Sequence, residues 1–187
     1  MAGIFLLALF AVGSTALAAP RNAAVDPVVA DTSKRVAQFK DTALVAVSPS
    51  KARAFDMRTP AQRASLRSVL RRERARWRAK RPPDYRYLLR VSCFCPGVRG
   101  WLLMDVRRSQ PLRAWDTAGR PATISDWNMF GIDELFDNVE RSIDRVSVVE
   151  IAFDPRWHFP AYVRSVALPG PDAWSIIDAR ALRRQTP

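Results

Sequence analysis

Residues 77–95 read Trp-Arg-Ala-Lys-Arg-Pro-Pro-Asp-Tyr-Arg-Tyr-Leu-Leu-Arg-Val-Ser-Cys-Phe-Cys, and in them a basic helix gives way to a strand. The two prolines, Pro82 and Pro83, end the helix because the residue before a proline is driven out of the α region. From Asp84 the side chains alternate as a strand requires. Tyr85, Tyr87, Leu89, Val91, Cys93 and Cys95 share one face; Arg86, Leu88, Arg90, Ser92 and Phe94 share the other. Both thiols, the only two in the chain, therefore face the layer that Leu89 and Val91 help to build.

Upstream, Thr59-Pro60 is a helix start, an N-cap hydroxyl followed by proline at the first helical position. Nothing breaks the helix before Lys80. Leu66, Val69, Leu70 and Trp77 fall on one apolar stripe at 3.6-residue spacing. Arg63, Arg67, Arg71, Arg74, Arg78 and Arg81 form a second stripe beside it. Residues 71–81 hold seven basic groups and one acid, Glu73.

Downstream, Pro96-Gly97-Val98-Arg99-Gly100 reads as a turn, and Trp101–Arg107 as a second strand with Leu102, Met104 and Val106 inward. A turn at Arg108-Ser109 leads to a third strand near Leu112–Trp115. Ser125-Asp126 opens a helical region whose main helix is expected to start at Asp133 as N-cap, with Ile132 as a staple. Leu135, Phe136, Val139 and Ile143 are its apolar face; Asp133, Asp137, Glu140 and Asp144 form an acidic stripe. Val146–Phe153, Ala161–Leu168 and Ala173–Ala179 read as three more strands, the first two joined through Asp154-Pro155. The order helix, three strands, helix, three strands predicts an α+β fold: an antiparallel sheet of about five to six strands with both helices on one face. The expected core is Leu66, Leu70, Trp77, Tyr87, Leu89, Leu135, Phe136, Val139, Val149 and Ile151.

The 187 residues suffice for one ordinary domain with appendages. Ile4–Val12 is an apolar run and Ala16-Leu17-Ala18 a small-x-small cleavage site, so residues 1–18 read as a secretory signal peptide. The alternative is an uncleaved N-terminal anchor, since Gly3–Ala19 is just long enough to span a bilayer. Residues 19–57 read as a tether with one short helix between about Asp31 and Val47, and 58–187 as a single α+β domain. Secreted or periplasmic localisation is the expectation, with no membrane-spanning helix after cleavage. The net charge of +12 is carried mostly by arginine and favours anionic partners.

Cys93 and Cys95 leave three readings open. Residues two apart on a strand have Cα atoms about 6.6 Å apart, whereas a disulfide prefers about 5.5–6 Å. The pair could be small buried hydrophobes, an intrastrand disulfide at a bulge, or two thiolates for a soft cation such as Cu(I). Zinc is poorly served, because His158 is the only histidine. Enzyme signatures are thin: there is no phosphate-cradling glycine loop and no G-x-S-x-G elbow. His158 reads as a turn residue and the acidic stripe as a solvated face. Nucleic acid is disfavoured, because Trp77 and the tyrosines fall on core positions rather than among the arginines.

At Trp77-Arg78 through Arg81-Pro82, Asp84-Tyr85-x-Tyr87, Cys93-x-Cys95, Thr123-Ile124, Asp133-Glu134-Leu135-Phe136-Asp137, Phe153-Asp154-Pro155 and Phe159-Pro160, the chain resembles a bacterial family of exported proteins and lipoproteins, the domain of unknown function numbered six-one-seven-four. Trp77, Tyr85, Tyr87, Asp154, Pro155 and Pro160 are the family-motif residues. His158 departs from the pattern, which usually has glycine there; Ser125–Gly131 looks like an insertion, and an acid expected near Val166 is missing. The resemblance implies an α+β domain and export, and brings no activity with it.

The function expected from the residues is a non-catalytic binding module for a macromolecular or anionic envelope partner, with no cofactor. Arg63, Arg67, Arg71, Arg74, Arg78 and Arg81 are its anion-binding candidates. The alternative is a thiol-based redox or Cu(I)-handling protein centred on Cys93 and Cys95. The arginine stripe and the acidic stripe lie on the same side of their own apolar stripes, so antiparallel neighbours would turn them together or both away. The expectation is that the arginines stay free, because they outnumber the acids.

Overall fold

The computed structural model describes residues 51–93, 100–122, 131–167 and 174–185. The expected signal peptide, the tether up to residue 50, residues 125–130 of the apparent insertion and Cys95 lie outside the described residues. Among the described residues, two helices, α1 (Pro60–Lys80) and α2 (Ile132–Ser142), accompany seven strands. The strands are β1 (Arg53–Asp56), β2 (Tyr85–Cys93), β3 (Trp101–Arg107), β4 (Gln110–Trp115), β5 (Val146–Phe153), β6 (Pro160–Ala167) and β7 (Trp174–Arg184). They form one sheet in the order β1-β5-β6-β7-β2-β3-β4, and every pairing is antiparallel.

The expected three-stranded runs are both present, as the meanders β2-β3-β4 and β5-β6-β7. They join where β7 pairs with β2, Leu89 opposite Ala179 and Val91 opposite Ile177. The β3–β4 turn falls at Arg108 and Ser109, both with positive φ, as a two-residue hairpin with right-handed strand twist demands.

The sheet has seven strands rather than five or six, and the extra one, β1, lies inside the stretch read as a tether. Its four residues offer one alternating pair, too little for a period to show. Phe55 nonetheless sits opposite Val149 and is buried, which fixes β1 on the outer edge of β5. The last strand runs five residues beyond the predicted end at Ala179. A register shift in β2 between Arg86 and Leu88, with Ala181 at φ 57°, lets β7 continue past an irregularity that breaks its alternation.

The Tyr85-Tyr87-Leu89 face of β2 continues across the sheet through Leu102 and Met104, Ile177 and Ala179, Val163, and Val149 and Ile151. Leu66, Leu70 and Trp77 of α1 and Leu135, Phe136 and Val139 of α2 join the same cluster, so every residue of the expected core is in it. Trp77 lies edge-on between Tyr85, 5.6 Å away, and Phe159, 6.1 Å away. Leu88, Leu103 and Trp115 make a small second cluster on the opposite face.

The start of α2 differs from expectation. Gly131 rather than Asp133 is the N-cap; its N–H donates to Glu134 Oε2 at 2.8 Å, and its carbonyl accepts from Leu135. The Ile132 N–H donates to the buried Tyr85 hydroxyl at 3.1 Å. With these first-turn donors satisfied, Asp133 is free to turn toward α1.

Candidate functional site

Helix α1 carries cations on both sides of its apolar stripe, and the two sides meet different surroundings. On the side facing α2, Arg67 donates to both carboxylate oxygens of Asp144, at 3.0 and 2.8 Å, while Arg63 Nε lies 4.0 Å from the same group. Arg74 pairs with Asp137 and comes within 3.6 Å of Glu140. Asp133 takes Arg81 at 2.6 Å and Arg78 at 3.6 Å. The partners run in opposite sequence order, so the helices are antiparallel with flanks facing. The expectation of a free stripe is overturned for Arg63, Arg67, Arg74, Arg78 and Arg81. Of the six candidates only Arg71 has no ion pair among the described residues. The surplus of arginine did not keep the stripe free, because single carboxylates serve two guanidiniums and Arg74 bridges two acids.

The other side of α1 holds what the charge count hid. At about 100° per residue Glu73 falls on the apolar stripe itself, between Leu70 and Trp77, and it is buried. Its carboxylate accepts from Arg72 Nε at 3.0 Å and from Arg76 Nη1 at 3.1 Å. The third partner is His158 Nδ1, 3.2 Å from Oε2. His158 Nε2 in turn lies 3.2 Å from Lys80 Nζ. An ammonium has only donors, so Nε2 is the accepting nitrogen of the Lys80 contact, and Nδ1 lies within ion-pair distance of Glu73. Glu73 thus holds two guanidiniums and an imidazole. Among the described residues, the histidine's side-chain partners are Glu73 and Lys80.

His158 sits at φ 66°, a left-handed backbone that glycine adopts freely and other residues adopt at a cost. The turn that holds it is built by Asp154. Asp154 Oδ1 accepts from the N–H groups of Arg156 at 2.8 Å and Trp157 at 2.7 Å, and its carbonyl accepts from the His158 N–H at 2.8 Å. Phe159, next in the chain, packs on Trp77. Trp77 Nε1 donates to Asp133 at 3.5 Å, and burial pushes the Tyr85 and Tyr87 phenols up. Trp77, Tyr85, Tyr87 and Asp154 are therefore frame residues: they fix α1, α2 and the β5–β6 turn, and so bring His158 to Glu73. Sequence reasoning left His158 as a turn residue; its partner lies 85 positions away, beyond any local pattern. Glu73 did leave a signal, its place on the apolar stripe.

Beside Glu73, a pocket of about 200 Å³ opens between α1, β1 and β5. Its walls are Phe55, Val69, Ile151 and Phe153, and cations ring it: Lys51, Arg53 and Arg72. Arg53 stacks on the Phe55 ring at 4.6 Å. Neither Lys51 nor Arg53 has an acidic partner among the described residues. On the opposite sheet face the arginines are engaged: Arg90 and Arg180 both reach the buried Asp178, and both stack on Trp101 at 4.9 Å.

Cys93 closes β2 opposite Ser175 and is disulfide-bonded, with no free cysteine among the described residues. An oxidised sulfur offers no thiolate to a soft cation. Among the described residues no three of His, Cys, Asp and Glu gather to hold a metal ion, and no helix is long and apolar enough to cross a membrane.

A family of unknown function, DUF6174, matches residues 69–164, just over half of the chain. The chain belongs to this family. The DUF6174 match begins inside α1 and ends inside β6, so it includes Glu73, Trp77, Tyr85, Tyr87 and the Asp154 turn. Strands β1 and β7 fall outside it, and with β1 the cations at Lys51 and Arg53. No curated protein and no solved structure matches the chain.

Proposed function

We propose that the protein is a non-catalytic secreted or periplasmic binding module, and that it meets an anionic envelope surface through the flank of α1 turned away from α2. One observation supports this placement. Lys51, Arg53, Arg72, Arg76 and Lys80 surround a single carboxylate, Glu73, whereas the cations of the other flank share four. Arg72 and Arg76 keep more than half of their side-chain surface in solvent despite their bond to Glu73, so their charge is open to a partner. Clustered cations at low net neutralisation attract anionic surfaces over roughly a Debye length, about 8–10 Å at physiological salt.

The test is sedimentation with vesicles of phosphatidylglycerol and phosphatidylcholine at several salt concentrations. Reversing Arg72, Arg76 and Lys80 to glutamate is expected to weaken binding at least tenfold and flatten its salt dependence. Reversing Arg67 and Arg74 instead is expected to change binding much less and stability more. Equal loss of binding from both sets would remove the assignment to one flank. Export rests on the apolar Ile4–Val12 run and the Ala16-Leu17-Ala18 site; a mature mass starting at Ala19 is the expected finding, and a mass retaining Met1 would favour an anchor.

A further inference from the structure

We infer that the pocket beside Glu73 is a binding site for a compact amphipathic anion, a carboxylate or phosphate carried on a short apolar body. The inference deepens the proposed anionic binding surface and rests on it for the sign of the ligand's charge. Three features of the pocket fix the ligand's chemistry. The walls are hydrocarbon and aromatic, contributed by Phe55 and Ile151 of the sheet, Val69 of α1 and Phe153 at the end of β5. An apolar body gains by replacing water against those walls.

The rim supplies the second feature. Lys51 and Arg53 stand at the mouth without acidic partners among the described residues, and the Arg53 guanidinium is held in place by its stack on Phe55. A guanidinium so oriented presents its donors to a carboxylate or phosphate as a fork. Glu73 would repel such a head group if it were bare. Arg72, Arg76 and His158 already occupy its oxygens, so its charge is answered within the protein and the cations at the mouth set the local sign.

Size is the third. About 200 Å³ accommodates roughly six or seven groups of water size, at about 30 Å³ each. That is less than the roughly 300–1,000 Å³ of sites for drug-sized ligands, and it suits a chain of about six carbons. The pocket also lies at the sheet margin, where β1 is paired on one side only, so a longer chain or a lipid could extend outward.

The experiment uses the full chain and three probes, hexanoate, hexyl phosphate and hexanol, with inorganic phosphate as the head group alone. Binding is followed by calorimetry and by amide shifts at Phe55, Val69 and Ile151. One of the two hexyl anions is expected to bind at least tenfold more tightly than both hexanol and inorganic phosphate. A preference for hexyl phosphate would point to a phospholipid-like source, and a preference for hexanoate to a fatty acid. Arg53→Glu, at an exposed position, is expected to lose that binding at least tenfold while the protein stays folded. Equal binding of hexyl phosphate and inorganic phosphate, or unchanged binding in R53E, would overturn the inference. If vesicles bind and no hexyl anion does, the pocket assignment fails and the surface assignment stands; if hexyl anions bind and vesicles do not, the surface reading fails.

Discussion

Along one side of α1, Arg74 and Arg81 reach across to the carboxylates of α2 and Arg67 to Asp144 just past its end; along the other, Arg72 and Arg76 fold onto Glu73, and Lys80 meets His158. The residue type is nearly the same on both sides, and the electrostatic outcome is opposite. On the first side the acids come from a neighbouring helix and the residue two past its end, and their side-chain exposure runs from 22% at Asp133 to 67% at Asp144. On the second side the acid comes from α1 itself and keeps only 8%. A charge count along the sequence treats these flanks alike. What separates them is which flank the antiparallel packing of α2 covers.

Trp77 lies between the two flanks, and its loss is the largest effect expected. Trp77→Ala removes a fully buried ring packed on Tyr85 and Phe159 and should cost about 3–5 kcal/mol in denaturant unfolding. A cost below ~1 kcal/mol would mean that neither flank depends on that contact.

Glu73→Ala separates the flanks more directly. It leaves the mostly buried His158 imidazole facing a void while Arg72 and Arg76 turn to solvent, at a cost of about 1–3 kcal/mol. Asp144→Ala breaks an exposed pair and should cost only about 0.2–1 kcal/mol. Equal costs in thermal or urea unfolding would dissolve the distinction between a buried organising acid and a solvent-side partner.

His158→Gly sharpens the same contrast. It relieves a left-handed backbone worth about 1–2 kcal/mol and loses the 3.2 Å polar contact with Glu73, worth about 0.5–1.5 kcal/mol on the scale of a net intramolecular hydrogen bond. Near-cancellation is expected in the native background, and a net gain in stability where Glu73 is already alanine. A double-mutant cycle reads the coupling; no difference between backgrounds would show that the imidazole does not depend on Glu73.

The smallest effect lies at the surface pair that precedes α1. Arg58 donates to Asp56 from its side chain and its backbone, and holds that carboxyl down at about 2, below its ordinary value of 3.8. A depressed carboxyl contributes stability that is present above the ordinary carboxylate range and disappears as pH falls toward 2. The melting temperatures of wild type and Asp56→Asn should therefore differ slightly at pH 6 and converge near pH 2. A gap that persists at pH 2 would assign the effect to something other than the carboxylate.

Much of the frame was readable because its signals are local. The Thr59-Pro60 start, the double proline stop and the alternation from Tyr85 each rest on neighbouring residues, and each holds: Thr59 Oγ1 accepts from the Gln62 N–H at 3.4 Å, and β2 begins at Tyr85. What escaped was long-range or too short to repeat. Strand β1 has one alternating pair. Gly131 outcompeted Asp133 as N-cap because Asp133 is drawn to Arg81 and Trp77, more than fifty positions earlier. The candidate site was half visible: the arginine stripe stood out but its pairing with the acids of and beside α2 did not, and Glu73 among the apolar residues marked the other flank.

Strand β7 occupies the middle of the sheet although it is the last strand in the chain. Until it arrives, β5-β6 and β2-β3-β4 have no shared ladder, and the inner edges of β6 and β2 stand open. Tyr85 must find Arg184, ninety-nine positions away, before the sheet becomes one piece. Such distant pairings are formed late and slowly, because loop-closure entropy is lost before any contact repays it. Without β7 the strands would fall into two sets with no ladder between them. Removing β7 would not trim the fold at its margin; it would divide it.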